Sequence, residues 1–264
     1  MGLFTGSGPR IFRTLCAVVL MAGVSGCAVP SAEQRASGEI FDPYEAQNRG
    51  VHAFNRKVDK LLFRPTSVGF TSIVPEPIQD SIGYFSDNLS MPGNALDSLL
   101  QGNLKQMWYA LARFTINTTI GIGGLADPAT EFGIPAVDTD FGETLYVWGV
   151  PAGAYVELPI LGPSTQRDSV GIIVNLFTNP LTFAPVRLVD NIGVYAEILR
   201  RIVDRGRYAE TVDSILYDSA DSYAQARIIY LQNRRFELSG NRGGENFDTY
   251  ADPYADIYED PYAE

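Results

Sequence analysis

Five or six stretches of this 264-residue chain set apolar side chains at helical spacing, and the segments joining them are themselves apolar, rich in Gly, Pro and aromatics. That pairing constrains the fold more than any other feature. Helices with one greasy face must turn it onto a shared core or onto a bilayer. Irregular backbone this apolar has to be buried or line a cavity, because lipid cannot satisfy its polar groups. The expected class is mainly α, with little or no β.

In chain order, Asp42-Pro43-Tyr44-Glu45 has the spacing of a capping box, with Asp at N-cap, Pro at N1 and Glu at N3. Val51, Phe54, Val58, Leu61 and Leu62 continue at helical spacing, and Pro65 is expected to close the element. A second helix follows Pro75 and Pro77, with Ile78, Ile82, Phe85 and Leu89 on one face. Short helices flank Gly102, one carrying Leu96, Leu99 and Leu100, the next running from Asn103 as cap through Met107, Trp108, Leu111 and Phe114. Gly121–Gly124 lacks the Gly-Lys-Ser/Thr of a phosphate loop and reads as a tight turn between packed helices. Residues 132–166 hold at most short strands, at 144–149 and 154–158.

Residues 169–186 carry no charge and are long enough to suggest a membrane span, but Pro180, Pro185, Asn175 and Asn179 divide them. A helical hairpin or re-entrant element fits better. Amphipathic helices follow near 191–203, with Ile192, Tyr195, Leu199 and Ile202 on one side, and from Ser219 to about Arg235. Beyond 239, Tyr250, Tyr254, Tyr258 and Tyr262 alternate with acids, and Pro253 and Pro261 oppose a helix. That segment reads as a disordered acidic tail.

At the N-terminus, Arg10 and Arg13 precede an apolar run from Leu15 to Val24, the make-up of a secretory signal. Val24-Ser25-Gly26-Cys27 resembles the lipobox of bacterial lipoproteins, which makes Cys27 the expected lipidation site and first mature residue. The mature 238 residues then hold no thiol for a disulfide. Residues 28–41 form a tether reaching roughly 45–50 Å if fully extended. The mature chain has 18 basic residues against 31 acids, a net of −13, of which −6 lies in residues 239–264. Such acidity argues against nucleic acid as a partner and against attraction to anionic headgroups as the source of membrane binding.

Chemistry for an enzyme is sparse. His52 is the only histidine, so His-based metal sites are excluded, and a surface or boundary position is expected for it. Gly-x-Ser-x-Gly is absent, Ser164 reads as a helix N-cap, and no cofactor motif is present. Glu131, Asp138, Asp140 and Glu143 show no acid/base spacing.

A series of short motifs resembles the MlaA (VacJ-type) phospholipid-binding lipoproteins of Gram-negative outer membranes. They are Asp42-Pro43-x-Glu45-x-x-Asn48-Arg49 with Phe54-Asn55, Arg64-Pro65, Asn88, Leu100-Gln101-Gly102, and Arg113-Phe114-x-x-Asn117 leading into Gly121-x-Gly123-Gly124-x-x-Asp127. Further on come Phe141-Gly142-x-Thr144-Leu145, Trp148-Gly149-Val150, Gly153-x-Tyr155-x-x-Leu158-Pro159, Gly162-x-Ser164, Arg167-Asp168 and Asp221-x-Tyr223-x-x-x-Arg227-x-x-Tyr230. The resemblance spans roughly 41–240 and leaves out the tyrosine tail.

What the resemblance implies is a ring of amphipathic helices in one leaflet around a central channel, over a domain at 42–238. It implies removal of misplaced phospholipid from the outer leaflet, association with a trimeric porin, and hand-over to a soluble periplasmic lipid carrier. Ala28, not aspartate, follows the lipidated cysteine, which fits export to the outer membrane. No energy source is encoded, so the expected mode is a passive conduit. Phe54, Asn55, Gly121, Gly123, Gly124 and Phe177 are the candidates for channel or gate. A lipoprotein that braces porins without carrying lipid, and a membrane-bound lipid hydrolase, stay open as alternatives.

Overall fold

The computed structural model describes residues 40–179 and 192–240. The signal segment, Cys27, nearly all of the tether, the second half of the uncharged stretch and the tyrosine tail lie outside those residues. Phe177 falls on a described helix, but its side chain is outside what the structure describes.

The described chain is mainly helical. Helix α1 (Glu45–Val58) runs through a π-helical segment, Asp59–Phe63, into α2 (Arg64–Ile73). Then come α3 (Glu76–Leu100), α4 (Leu104–Thr119), the single turn α5 (Pro128–Glu131) and α6 (Phe141–Val147). An antiparallel hairpin of β1 (Tyr155–Leu158) and β2 (Gly162–Thr165) pairs Tyr155 with Thr165 and Leu158 with Gly162. It leads into α7 (Gln166–Thr178), and α8 (Ile192–Arg207) and α9 (Ala209–Asp213) follow. A second π-helical segment, Ser214–Asp218, precedes the last helix, α10 (Ser222–Gly240).

At several positions the fold departs from what the sequence led one to expect. Asp42 is not an N-cap: its carboxylate accepts from Asn48 Nδ2 at 2.9 Å, from Arg227 Nη1 at 2.6 Å and from Tyr223 Oη. Charged and hydroxyl donors from the far end of the chain outbid the helix N–H groups, and α1 starts after Tyr44 without a side-chain cap. Pro65 does not end its helix. The Arg64 N–H reaches back five residues to the Asp59 carbonyl, and this one-residue slip lets the helix continue past a residue with no N–H to give. Leu96, Leu99 and Leu100 belong to α3 itself, which continues through Pro92 for 25 residues.

Residues 144–149 are not a strand but mostly helix α6. Asp140 caps it by accepting from the Glu143 N–H at 2.8 Å, half of a capping box that was present in the sequence. Ser164 is a strand residue, and Thr165 is the cap of α7, accepting from the Asp168 N–H. Asn103 caps α4, as its position indicated.

Helix α3 packs along α4, α8 lies across α2 and α3, α6 packs on α7, and the hairpin sits between α1 and α10. The apolar core is small: Met91, Ala95, Ala110 and Val137, with Met107, Tyr109, Leu111 and Phe114 around them.

The partition of side chains is inverted relative to a water-soluble domain. Among the described residues, 20 polar or charged residues are buried against 12 apolar ones, five of those alanine. On α3 the inward residues include Gln79, Ser86, Asn88, Asn94, Asp97 and Ser98, while Ile78, Leu99 and Leu100 face out. Tyr195 and Leu199 on α8 are likewise exposed, and Ala196 and Val203 are buried. Isolated exposed apolar residues are ordinary, but a polar interior beneath them is not. Among the described residues no helix is long and apolar enough to cross a membrane.

Candidate functional site

Two of the buried polar residues, His52 and Glu157, face an open interior space. A cavity of about 900 Å3 lies among α1, the hairpin, α7, α8 and the second π segment. That is at the upper end of the ~300–1,000 Å3 common for small-molecule sites. Its wall is two-sided. Ile160, Leu161, Ile172, Val194, Ile198 and Leu216 supply apolar surface, and Arg56, Asp59, Glu157, Glu197, Arg201 and Arg205 supply charge.

Helix α1 holds the hairpin against this cavity with a polar stripe at i, i+4 and i+7. Asn48 accepts from the Glu157 N–H at 2.9 Å and donates to the Tyr155 carbonyl at 3.1 Å. Two turns on, Asn55 accepts from the Ile160 N–H at 2.7 Å and donates to the Leu158 carbonyl at 2.9 Å. The two amides thus complete the free edge of β1, which would otherwise leave backbone groups unpaired. Asn55 also secures a strained turn, since Ile160 has φ 68°, a left-handed conformation costly for a β-branched residue.

Between the two asparagines, His52 is buried rather than at a boundary. Its Nδ1 lies 3.2 Å from Glu157 Oε1 and its Nε2 lies 3.1 Å from Ser222 Oγ. Glu157 also accepts from Tyr155 Oη at 2.5 Å and from Asn55 Nδ2 at 3.3 Å. Burial, followed by that hydrogen bond, pushes the Tyr155 hydroxyl far up. A serine, a histidine and a carboxylate in line have the order of a hydrolase triad. Two features set this chain apart from one. Ser222 is buried and outside the cavity lining, and the N–H of Ala224, at the start of α10, is occupied by the Asp221 carboxylate at 3.1 Å. The three groups act as a strut joining α1, β1 and α10.

Two further buried networks fix the frame. Arg113 donates to Asp127 at 2.7 Å and to the Ile134 carbonyl at 2.7 Å, and Asn117 Nδ2 donates to Asp127 at 2.8 Å. Burial acts to raise Asp127, but Thr130, Asn117 and Arg113 outweigh it and hold its carboxyl low. Asp168 is similarly buried and held low by Arg234 and Arg167, with a hydrogen bond from Tyr230 at 2.8 Å.

The sequence candidates do not converge on one place. Asn55 lines the cavity. Phe54 beside it is half exposed and outside the lining. Gly121, Gly123 and Gly124 form a turn at the end of α4, away from the cavity. Packing accounts for that turn: a Cβ on Gly121 would lie 2.4 Å from the Ala126 carbonyl oxygen, and one on Gly124, at φ 97°, would lie 2.6 Å from Asn88 Nδ2. Gly123 needs its left-handed φ of 72° and meets nothing. Arg56, Glu157, Arg205 and Tyr217 were not singled out by sequence. The one available signal was the Asn48–His52–Asn55 spacing, a polar stripe at helical period. Among the described residues no group of three or more His, Cys, Asp or Glu is placed to hold a metal ion.

Comparison with known proteins gives consistent matches. The sequence profile of the MlaA lipoprotein family matches residues 40–237. The Escherichia coli intermembrane phospholipid transport system lipoprotein MlaA is 32% identical over 219 residues, 81% of this chain and 84% of that protein. Its Haemophilus influenzae namesake is 30% identical over 91% of this chain and 96% of its own length. A solved structure reported for maintenance of bacterial outer membrane lipid asymmetry superposes with a TM-score of 0.65 at 28% identity, over 75% of this chain and 98% of that one.

Proposed function

This chain belongs to the MlaA lipoprotein family, and on that premise we propose that it is an outer-membrane lipoprotein that moves phospholipid out of the outer leaflet and hands it to a soluble periplasmic carrier. The observation that carries this reading is the inverted partition of side chains, together with a mostly apolar cavity that bears a minority of charged groups on its wall. A phospholipid crossing between leaflets needs a polar path for its headgroup and an apolar boundary for its chains. Helices lying within one leaflet, apolar faces outward, shield such a path without spanning the membrane. Thirty large apolar residues are exposed among those described. Burying a third of them in acyl chains supplies on the order of 10 kcal/mol, given ~1.5–3 kcal/mol for each full side chain.

In this reading Cys27 carries the acyl anchor, residues 28–41 are the tether, 42–238 form the leaflet-embedded body, and a trimeric porin is the outer-membrane partner. No energy source is encoded in the sequence, so in this reading the protein is a passive conduit and direction comes from the acceptor. Wild-type protein in donor vesicles accelerates transfer of labelled phospholipid to acceptor vesicles. No acceleration, with porin binding intact, rejects the conduit in favour of a porin brace, and release of free fatty acid favours a hydrolase built on Ser222 and His52.

A further inference from the structure

The described residues contain two π-helical segments, Asp59–Phe63 and Ser214–Asp218, and they meet. Tyr217 Oη, on the second, donates to Asp59 Oδ2, on the first, at 2.7 Å. Arg205 closes the junction, with Nε and Nη2 each 2.8 Å from the Asp59 carboxylate and Nη2 also 2.6 Å from Asp213. A π turn widens the helix, re-aims the side chains around it and costs hydrogen-bond quality, so such turns recur where function compensates. Here both contribute to the cavity wall, the first through Asp59 and Phe63 and the second through Leu216.

Arg56 stands one turn before the first π segment, its guanidinium 5.8 Å from the centre of the Tyr217 ring. Arg64 is paired with Asp213, and Arg205 with Asp59 and Asp213. Among the described residues Arg56 has no ion pair, and its Nε is buried with no hydrogen-bond acceptor. Arg205 Nη1 is in the same condition. Two buried guanidinium N–H groups without acceptors are expensive to leave unmade. Both belong to residues of the 900 Å3 cavity wall, and Arg56 also lines a neighbouring pocket of about 470 Å3 with Lys60, Arg64 and Asp218. Arg56 is therefore the shared wall between an amphipathic chamber and a small, polar one.

Resting on the phospholipid reading above, we propose that Arg56, with Arg205 across Tyr217, forms a phosphodiester site where the lipid headgroup halts between the two chambers. The acyl chains lie toward Ile172 and Ile198. Asp213 and Asp218, set against Arg56, Lys60 and Arg64, leave the smaller pocket only weakly cationic, which suits the single charge of a phosphodiester over a multiply charged anion.

The test uses full-length acylated protein in dodecyl maltoside and three probes: dihexanoyl phosphatidylglycerol, dihexanoylglycerol and inorganic phosphate, with binding read by calorimetry. The wild type binds the phospholipid more tightly than the diacylglycerol, and inorganic phosphate weakly. Arg56→Gln weakens the phospholipid alone by roughly ten- to hundredfold, the loss of one charge-assisted hydrogen bond. Arg56→Lys keeps part of the preference and serves if the glutamine variant does not fold. Unchanged phospholipid binding in Arg56→Gln overturns the site and leaves the conduit standing. Binding of neither lipid by the wild type overturns the conduit and the site together. Inorganic phosphate bound as tightly as the phospholipid, and lost in Arg56→Gln, overturns assignment to a headgroup.

Discussion

Removing the Asn55 side chain should loosen the cavity wall by a predictable amount. The amide makes three hydrogen bonds to the hairpin, with Ile160 N–H at 2.7 Å, the Leu158 carbonyl at 2.9 Å and Glu157 Oε1 at 3.3 Å. Each contributes ~0.5–1.5 kcal/mol net, or about 3 kcal/mol together. Against this, Ile160 is freed from its left-handed φ, and relaxing such a residue returns about 1 kcal/mol. Asn55→Ala is expected to destabilise the protein by about 2 kcal/mol, a fall of roughly 4–8 °C in Tm for a chain of this size. Ile160→Gly in that background should recover little, since the strain is already gone. Asn55→Asp keeps the acceptor for Ile160 but sets a second carboxylate against Glu157. It should be worse than alanine at pH 8. Denaturant titration of the detergent-solubilised protein measures all three. An Asn55→Ala variant within ~0.5 kcal/mol of wild type, inside the range of an ordinary surface change, refutes the clamp.

Burial, with Asp140 and Glu143 close by, pushes Asp97 up to about 7. The folded protein thus holds this proton more tightly than the unfolded chain, whose aspartates titrate near ~3.9, and stability falls as pH rises from there through about 7. Asp97→Asn should be about 2–4 kcal/mol more stable than wild type at pH 8 and close to it at pH 4, by denaturation at both pH values. Ser222→Ala should cost about 1 kcal/mol through the lost His52 contact and leave phospholipid transfer unchanged, whereas abolished transfer would reinstate a triad. Cys27→Ser should stop incorporation of labelled palmitate yet leave the protein in the detergent phase. If that protein is monodisperse in buffer, the exposed apolar faces do not meet a bilayer.

How far the sequence could be read depended on range. Asn103 capping α4, strand 155–158, and helices α8 and α10 follow from signals within a few residues. Asp42 could not be read that way. Its position suggested a local cap, but Tyr223 and Arg227, more than 180 residues on, claim its carboxylate. Pro65 marks a helix end only when the backbone cannot slip register, and a π turn supplies that slip. The Asp140–Glu143 and Thr165–Asp168 boxes were legible, yet the Gly, Pro and aromatic content around them pointed to irregular backbone. The site was least legible because its polarity is reversed. Apolar stripes are ordinarily read as the inward face, and here Asn48, His52 and Asn55 make the contacts that shape the cavity.

That reversal has a direct consequence for transport. If lipid passes through the cavity, filling its apolar side must stop transfer without disturbing the outer faces. Ile172 lines the cavity on α7, and a tryptophan there occupies the path. The decisive measurement is the initial rate of labelled phospholipid transfer from donor proteoliposomes to a soluble acceptor, compared for wild type and Ile172→Trp at equal membrane incorporation. A path through the cavity gives rapid transfer by the wild type and near-background transfer by the plugged variant. Equal rates would contradict it, and would mean that lipid travels along the outer faces or does not use this protein as its path.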